Sequence, residues 1–289
     1  MTEDDGRLLS AGVIALTTLV YLVNARFDHT WGRGIHLVYT AAAAAFVIVM
    51  AARTRVEDER PRDWQSILYI AAYLLALVTL LRLANVFGVH DIPGSSGTLV
   101  WVGLLLLGLA SWFAVGRGSG ISMLLAVVTA IVVVLAFIDW VFSPDGPDTF
   151  RWILLLLGLA LFAGGFMSRG SDVRRSVAYV NGGGLAILAL GLTFLGTSLG
   201  SSLALGGSSG TGWGWELMIL GFGFASLIYS AHETQSGPGY LGAANLTLFV
   251  ILAFPPGRDG ASLIGWPLVL LLLSGAAIGA ALRGNSQRP

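Results

Sequence analysis

The chain has 289 residues, of which 55% are hydrophobic and 11% are charged, and 16 basic side chains balance 16 acidic ones. A soluble domain carries about 25% charged residues, so these figures, with a mean hydropathy of +0.80, exclude a water-soluble single domain. They also exclude an intrinsically disordered chain. The composition predicts an all-α, polytopic integral membrane protein whose surroundings are the lipid bilayer.

Two residue types are missing, and their absence excludes several kinds of chemistry. Every basic residue is arginine, so no lysine can form a Schiff base or bind phosphate in a nucleotide-binding loop. There is no cysteine, which excludes disulfides, thiol nucleophiles and thiolate metal sites. The basic residues are not concentrated in one patch, which argues against a nucleic-acid partner. The sequence predicts no cofactor.

Apolar segments follow one another along almost the whole chain. A helix needs about 20 largely apolar residues to cross a bilayer core of about 30 Å, and ten segments meet this requirement. We therefore predict a single transmembrane helical domain over 1–289, with a Gly- and Ser-rich segment, 198–212, as a flexible outer loop. The predicted spans are 8–24, 35–53, 64–88, 97–116, 120–142, 149–168, 174–197, 213–232, 238–255 and 264–283.

The charges at the ends of the spans predict the orientation. The residues before the first span include Glu3, Asp4 and Asp5, whereas a signal peptide begins with positive charge, so this span is expected to remain as an uncleaved helix. With the N-terminus inside, eleven of the 16 arginines fall on the inner side and five on the outer side. Arginine is enriched on cytoplasmic loops. Both termini are therefore predicted to be cytoplasmic, in a multi-pass protein of the cell membrane.

Similar segments recur along the chain. The segment 104–110 is repeated at 154–160, and each copy is followed by Arg-Gly-Ser. The segment 66–69 resembles 176–179, with Ser at the start and Tyr at the end of each. Such self-similarity predicts repeated two-helix hairpins, formed by spans 2–3, 4–5, 6–7 and 8–9. The alternative is that leucine-rich helices resemble one another through composition alone.

Polar residues inside spans 7 and 9 predict a substrate site. Intramembrane polar groups are costly and are functional candidates, and Asn181 and Asn245 each follow the start of their span by seven residues, about 10 Å. Glycines can unwind a helix or allow a close approach, and unwound segments line many transporter sites. The alternative is a hydrogen bond that only holds the helices together. The predicted site consists of Tyr179, Asn181, Gly182, Gly183, Gly184, Asn245 and Thr247.

Charged and titratable residues also gather at the predicted outer surface. His29, His36 and His90 fall there with several aspartates, and such a set could bind zinc or act as acid and base. Their spacing matches no metal-binding pattern, so the alternative is an ordinary wet loop. Arg82 and Asp139 lie at the outer ends of spans 3 and 5, where they either pair or extend into the headgroup region.

Three functions remain open at this stage. The first is a small-molecule permease or flippase with its polar site between spans 7 and 9. The second is a non-catalytic membrane subunit or scaffold that binds another membrane protein or a second copy through small-residue faces such as Gly221 and Ala225, although such faces also serve packing within one chain. The third is an outward-facing hydrolase or metalloprotein that uses the histidines. The sequence favours transport only slightly over the scaffold.

Overall fold

The structure is a computed structural model that describes residues 3–27, 32–54, 56, 63–89, 94–170, 172–203, 212–233 and 235–253. Within these residues every regular element is an α-helix, and nine helices are long and apolar enough to cross a membrane. They are α1 (Glu3–Phe27), α2 (Arg33–Ala52), α3 (Asp63–Val86), α4 (Ser96–Arg117), α5 (Gly120–Phe142), α6 (Asp148–Ser168), α7 (Val173–Leu203), α8 (Trp213–Glu233) and α9 (Ser236–Ala253).

Each of the first nine predicted spans overlaps one of these helices. The tenth, 264–283, lies outside the described residues. The predicted loop 198–212 starts too early, because α7 continues to Leu203. Glycine and serine each lower helix propensity by no more than about 1 kcal/mol, which does not by itself end a long apolar helix.

The described helices fall into two compact units. The first contains α1 to α6 and the part of α7 up to Ala186. The second begins at Ile187 and contains the rest of α7 with α8 and α9.

The first unit is built from helices that pack along their neighbours in the chain. α2 packs along α3, and α4 packs along α5, while α1 also lies against α3. Leu68, Leu75 and Phe113 are among the buried side chains of this core. The hydroxyl groups of Tyr73 and Thr129 lie 2.6 Å apart and join α3 to α5.

In the first unit, side chains from other helices donate hydrogen bonds to carbonyl groups at the ends of helices. The last carbonyl groups of a helix have no partner within it. Arg117, at the end of α4, donates to Thr54 O at 2.9 Å and to Ala52 O, which are the carbonyl groups at the end of α2. Arg174, at the start of α7, donates to Gly118 O at 2.6 Å, directly after α4. One guanidinium therefore holds two helices together at each of these ends.

In the second unit, α8 and α9 approach each other at glycines. A Cβ atom added to Gly242 would lie 2.8 Å from Gly223 O, so neither residue has room for a side chain. The expected small-residue face at Gly221 is not the one that packs, since a Cβ atom there would meet no described atom within 4 Å. Residues two positions apart point to nearly opposite sides of a helix, and Gly223 rather than Gly221 faces α9.

The arginine contacts at the end of α2 predict a measurable loss of stability. Arg117→Ala removes two donors to the carbonyl groups of Thr54 and Ala52, and hydrogen bonds to charged groups contribute about 1.5–3 kcal/mol each. We expect the thermal unfolding midpoint of the purified protein in detergent to fall. The control is Arg175→Ala, whose half-exposed side chain makes a 3.9 Å ion pair with Asp172, a type of contact worth about 0–1 kcal/mol. Equal midpoints for the two variants would contradict the structural role of Arg117.

Candidate functional site

A cavity of about 760 Å³ lies between α1 and α3 in the first unit. Its apolar wall includes Leu74, Leu77 and Val78 of α3. Leu74 is 44% exposed, so the cavity opens at the surface between the two helices. Its volume falls within the range of about 300–1,000 Å³ that is typical of sites for one small molecule.

The amide and guanidinium groups that line this cavity lie at one end of it. α1 and α3 run in the same direction, because Gly6 lies against Trp64 near their starts and Asn24 lines the cavity with Arg82 and Asn85 near their ends. These three side chains therefore lie within the last two turns of their helices. Further from that end the lining consists of apolar side chains together with Thr17 and Thr18, whose hydroxyl groups donate to carbonyl groups of α1.

Asn24 is held in a defined orientation by its neighbours. Its side-chain amide donates to Val20 O at 3.0 Å, and its Oδ1 lies 3.2 Å from Nδ1 of His36. The other ring nitrogen of His36, Nε2, lies 3.1 Å from Phe27 O. Asn24 is 6% exposed and His36 is 1% exposed. A buried and doubly held amide presents a fixed polar group to the wall of the cavity.

These contacts also define the role of His36 in the described part of the chain. Both of its ring nitrogens lie within hydrogen-bond distance of oxygen atoms in α1. His29 and His90, the other members of the predicted metal set, lie outside the described residues. Among the residues that the structure describes, no group of three His, Cys, Asp or Glu side chains could hold a metal ion. The metal site therefore stays a prediction.

The α7 part of the predicted substrate site is a continuous helix. Residues Gly182–Gly184 are helical and buried, so the unwinding considered from the sequence does not occur. Their glycines instead allow close contact: Gly182 lies against Val127 of α5, and a Cβ atom on Gly183 would lie 2.5 Å from Cδ2 of Phe162 and 3.0 Å from Gly158 O. The triplet packs α7 against α5 and α6.

The polar side chains beside this triplet have different surroundings. The ring of Tyr179 lies against α6, 3.5 Å from where a Cβ atom on Gly164 would be. Asn181 is 8% exposed, and its buried Oδ1 has no hydrogen-bond partner among the described residues. Such an oxygen is a place where a water molecule or a ligand group would gain a hydrogen bond.

The α9 part of the predicted site belongs to the second unit. Asn245 is fully buried, and its amide donates to Leu241 O at 3.0 Å. Thr247 lies on the exposed face of the same helix and donates to Ala243 O at 2.9 Å. The two side chains therefore face different sides of α9, and each makes a hydrogen bond within its own helix.

The second expected polar pair, Arg82 and Asp139, is also placed by the structure. Asp139 accepts a hydrogen bond from the hydroxyl of Ser96 at the start of α4. Arg82 lines the cavity on the side of α3 that faces α1.

The sequence analysis did not identify Asn24 and Asn85 as cavity residues. The available signal was that both fall near the same predicted membrane surface as Arg82.

Comparison with known proteins finds no matching family model, no similar curated protein and no similar solved structure. The functional argument therefore depends on the residues and geometry of this chain.

The contacts of the glycine triplet generate a stability prediction. We expect Gly183→Ala to lower the thermal unfolding midpoint, because the added methyl group would overlap the buried ring of Phe162, and overpacking costs about 1–3 kcal/mol. The matched control is Gly221→Ala, also in the middle of a helix but with no described atom within 4 Å of the new Cβ. There alanine should be neutral or stabilising, because it has the higher helix propensity. A Gly183→Ala protein as stable as Gly221→Ala would contradict the close packing.

Proposed function

We propose that the protein is a ten-span membrane protein that acts as a permease or flippase, with its substrate site in the α1–α3 cavity. Both termini are cytoplasmic and the protein lies in the cell membrane. The observation that carries this proposal is the cavity of about 760 Å³, whose mainly apolar walls, which also include Thr17 and Thr18, end at Asn24, Arg82 and Asn85. A few polar groups that converge in an otherwise apolar pocket are typical of small-molecule sites.

The opening of the cavity favours a substrate that arrives from the bilayer. The cavity opens between the sides of two apolar helices, where Leu74 and Tyr21 are 44% and 69% exposed. In a membrane these side chains face the acyl chains of lipids. A molecule that partitions into the bilayer would reach the site laterally, which supports the flippase form of the proposal.

The other two functions have less support. A scaffold would present close-packing small residues to a partner. Gly183, Gly223 and Gly242 pack within the chain, which leaves Gly221, with no described atom within 4 Å of an added Cβ, as the support for this alternative. A metal-dependent hydrolase would need histidines that converge, and both ring nitrogens of His36 already lie against oxygen atoms of α1. Transport therefore remains the function that the geometry supports best.

The proposed hairpin repeat has support in two tyrosines that make contacts back across the preceding turn. Tyr69 lies with its hydroxyl 2.9 Å from that of Thr54, fifteen residues earlier. Tyr179 lies against Gly164, which is also fifteen residues earlier (179 − 164). Both tyrosines lie six residues after the start of the second helix, but Thr54 follows the end of α2 whereas Gly164 lies within α6. Tyr240, the corresponding residue of the next proposed hairpin, departs from this pattern because it is 76% exposed.

The proposed topology predicts which side of the membrane each turn occupies. The chain has no cysteine, so single cysteines at Asp145 and Asp172, the exposed residues on either side of α6, can be labelled without background. We expect a membrane-impermeant maleimide to label Asp145→Cys in intact cells and Asp172→Cys only after permeabilisation. The reverse pattern would invert the orientation, and equal labelling of both in intact cells would contradict a spanning α6.

The proposed site predicts that a filled cavity stops transport. Proteoliposomes would contain either NBD-labelled phosphatidylcholine or NBD-labelled phosphatidylglycerol, and dithionite would bleach the label exposed outside. We expect dithionite to bleach a larger fraction of at least one label in liposomes that contain the unaltered protein than in empty liposomes. The reason is that the protein moves labelled lipid from the inner leaflet to the outer leaflet. Val78→Trp should abolish this excess, since Val78 lines the cavity.

The matched control is Val132→Trp, at a side chain of α5 that is 47% exposed and does not line the cavity. It should transport as the unaltered protein does. Transport by Val78→Trp at the control rate would contradict the proposed site, and no excess bleaching by the unaltered protein would contradict the flippase.

A further inference from the structure

The side-chain amide of Asn24, in the lining of the α1–α3 cavity, has one orientation that satisfies its neighbours. Val20 O is a carbonyl oxygen, which can only accept a hydrogen bond, so the amide nitrogen of Asn24 is the atom that lies 3.0 Å from it. The amide oxygen is then turned to Nδ1 of His36, 3.2 Å away. A hydrogen on that ring nitrogen completes the second contact.

This orientation leaves one hydrogen of the amide for a ligand. An amide nitrogen carries two hydrogens, and the one that does not bond to Val20 O has no acceptor among the described residues. Asn24 is 6% exposed, and a buried donor without an acceptor costs free energy. A molecule in the cavity that placed an acceptor oxygen beside this N–H would remove that cost.

The other polar groups of the cavity lining have less need of a ligand. The hydroxyl groups of Thr17 and Thr18 already donate to carbonyl groups of their own helix, at 2.8 and 2.9 Å. Arg82 and Asn85 are only partly buried, so water can also reach them. Asn24 therefore combines three properties: a place in the lining, deep burial and a donor that is still available.

The depth of Asn24 indicates which acceptor it would meet in a membrane. α1 has 25 residues, about 37 Å at 1.5 Å per residue, and the hydrocarbon core of a bilayer is about 30 Å thick. Asn24 lies three residues (27 − 24) before the end of α1, which is about 4.5 Å. In a helix centred on the bilayer it lies at the edge of the core. The ester groups of glycerolipids lie at this edge, between the acyl chains and the headgroups.

We propose that Asn24 donates a hydrogen bond to an ester carbonyl of an amphiphile bound in the cavity, and that His36 is a positioning residue for this contact. The carbonyl is a neutral acceptor, so the site selects an ester and does not depend on charge. His36 does not line the cavity and acts through Asn24. A volume of about 760 Å³ corresponds to one small molecule. This inference names the substrate class and so rests on the proposed function.

The test compares two neutral probes that differ in one carbonyl group. 1-Dodecanoyl glycerol has an ester between its chain and its head, and 1-O-dodecyl glycerol has an ether there, with the same two hydroxyl groups. The complete chain would be placed in nanodiscs of ether-linked phosphatidylcholine, which contain no ester that could compete. Each unlabelled probe would be used to displace tritiated dodecanoyl glycerol. We expect saturable binding and a preference for the ester of about threefold to tenfold, which corresponds to one neutral hydrogen bond.

Two variants of α1 test which side chain recognises the carbonyl. Asn24→Leu should abolish the preference, because it removes the donor. The matched control is Thr18→Val, which removes from the same cavity a hydroxyl that already donates to Ile14 O, so the preference should remain. The partitioning of each probe into the nanodisc is the same for every variant. A change in the ratio of the two affinities therefore reports the contact with the protein.

Two variants of His36 separate its positioning role from a merely structural one. His36→Asn places an amide nitrogen near the position of Nδ1, so a donor to Asn24 remains. His36→Gln places one near the position of Nε2, beside Phe27 O, and leaves Asn24 without its neighbour. We expect the first variant to retain the ester preference and the second to lose it. A merely structural histidine would change the affinity for both probes by the same factor.

Several results would overturn the proposal. In the unaltered protein, equal displacement by the ester and the ether, or no saturable binding of either, would do so without any variant. An ester preference that survives Asn24→Leu would place the carbonyl elsewhere, and its loss in Thr18→Val would assign the carbonyl to that hydroxyl. Equal preferences of His36→Asn and His36→Gln would remove the positioning role of His36.

This inference and the proposed function can fail separately. An ester preference that depends on Asn24, together with unaltered lipid transport by Val78→Trp, would leave the ester site standing and remove the flippase. Transport that Val78→Trp abolishes, together with equal binding of the two probes, would leave the transport site standing and remove the ester contact. The binding measurement and the bleaching measurement therefore decide between the two.

Discussion

The carbonyl groups at the ends of apolar helices are the constraint on which much of this structure depends. They have no partners within their own helix, so another side chain or water must supply a donor. Arg117 supplies donors to the end of α2, and Arg174 supplies one to the residue that follows α4. Because the chain has no lysine, the forked guanidinium serves this purpose, and it can bind two carbonyl groups at once. These hydrogen bonds therefore fix the end of one helix relative to its neighbour.

The same need for partners accounts for most polar side chains inside the helices. Thr17, Thr79 and Thr247 each donate to the carbonyl group one turn earlier in their own helix. A hydroxyl bonded in this way is satisfied without a neighbour, so it carries little information about function. Other polar groups join different helices, such as the hydroxyl groups of Tyr73 and Thr129. Asn24 does both, since its amide donates to Val20 O in its own helix and its Oδ1 lies against His36 of α2.

The helices could be predicted from the sequence because their apolar segments are long and nearly free of charge, which is a local property. Their contacts could not be predicted in the same way. Asn24 and Arg82 line one cavity only because α1 and α3 are parallel neighbours, and nothing in either segment specifies the other. For Gly182 and Gly183 the sequence left two outcomes open, an unwound helix or a close contact. The structure shows the close contact, which is made with Val127 and Phe162. Because these two residues lie on other helices, the sequence of α7 alone does not specify it.

The cavity is an open groove between α1 and α3, in contrast to the closely packed contacts elsewhere in the chain. Protein interiors are packed to the density of organic crystals, with few voids larger than a water molecule. The close contacts at Gly183 and Gly242 show that neighbouring helices of this chain reach that density. An arginine that only extended toward a membrane surface would need no space beside it. Arg82 instead lies beside about 760 Å³ of open volume and shares it with an amide that His36 holds in place. Open space and oriented polar side chains therefore occur together at that end of the first unit.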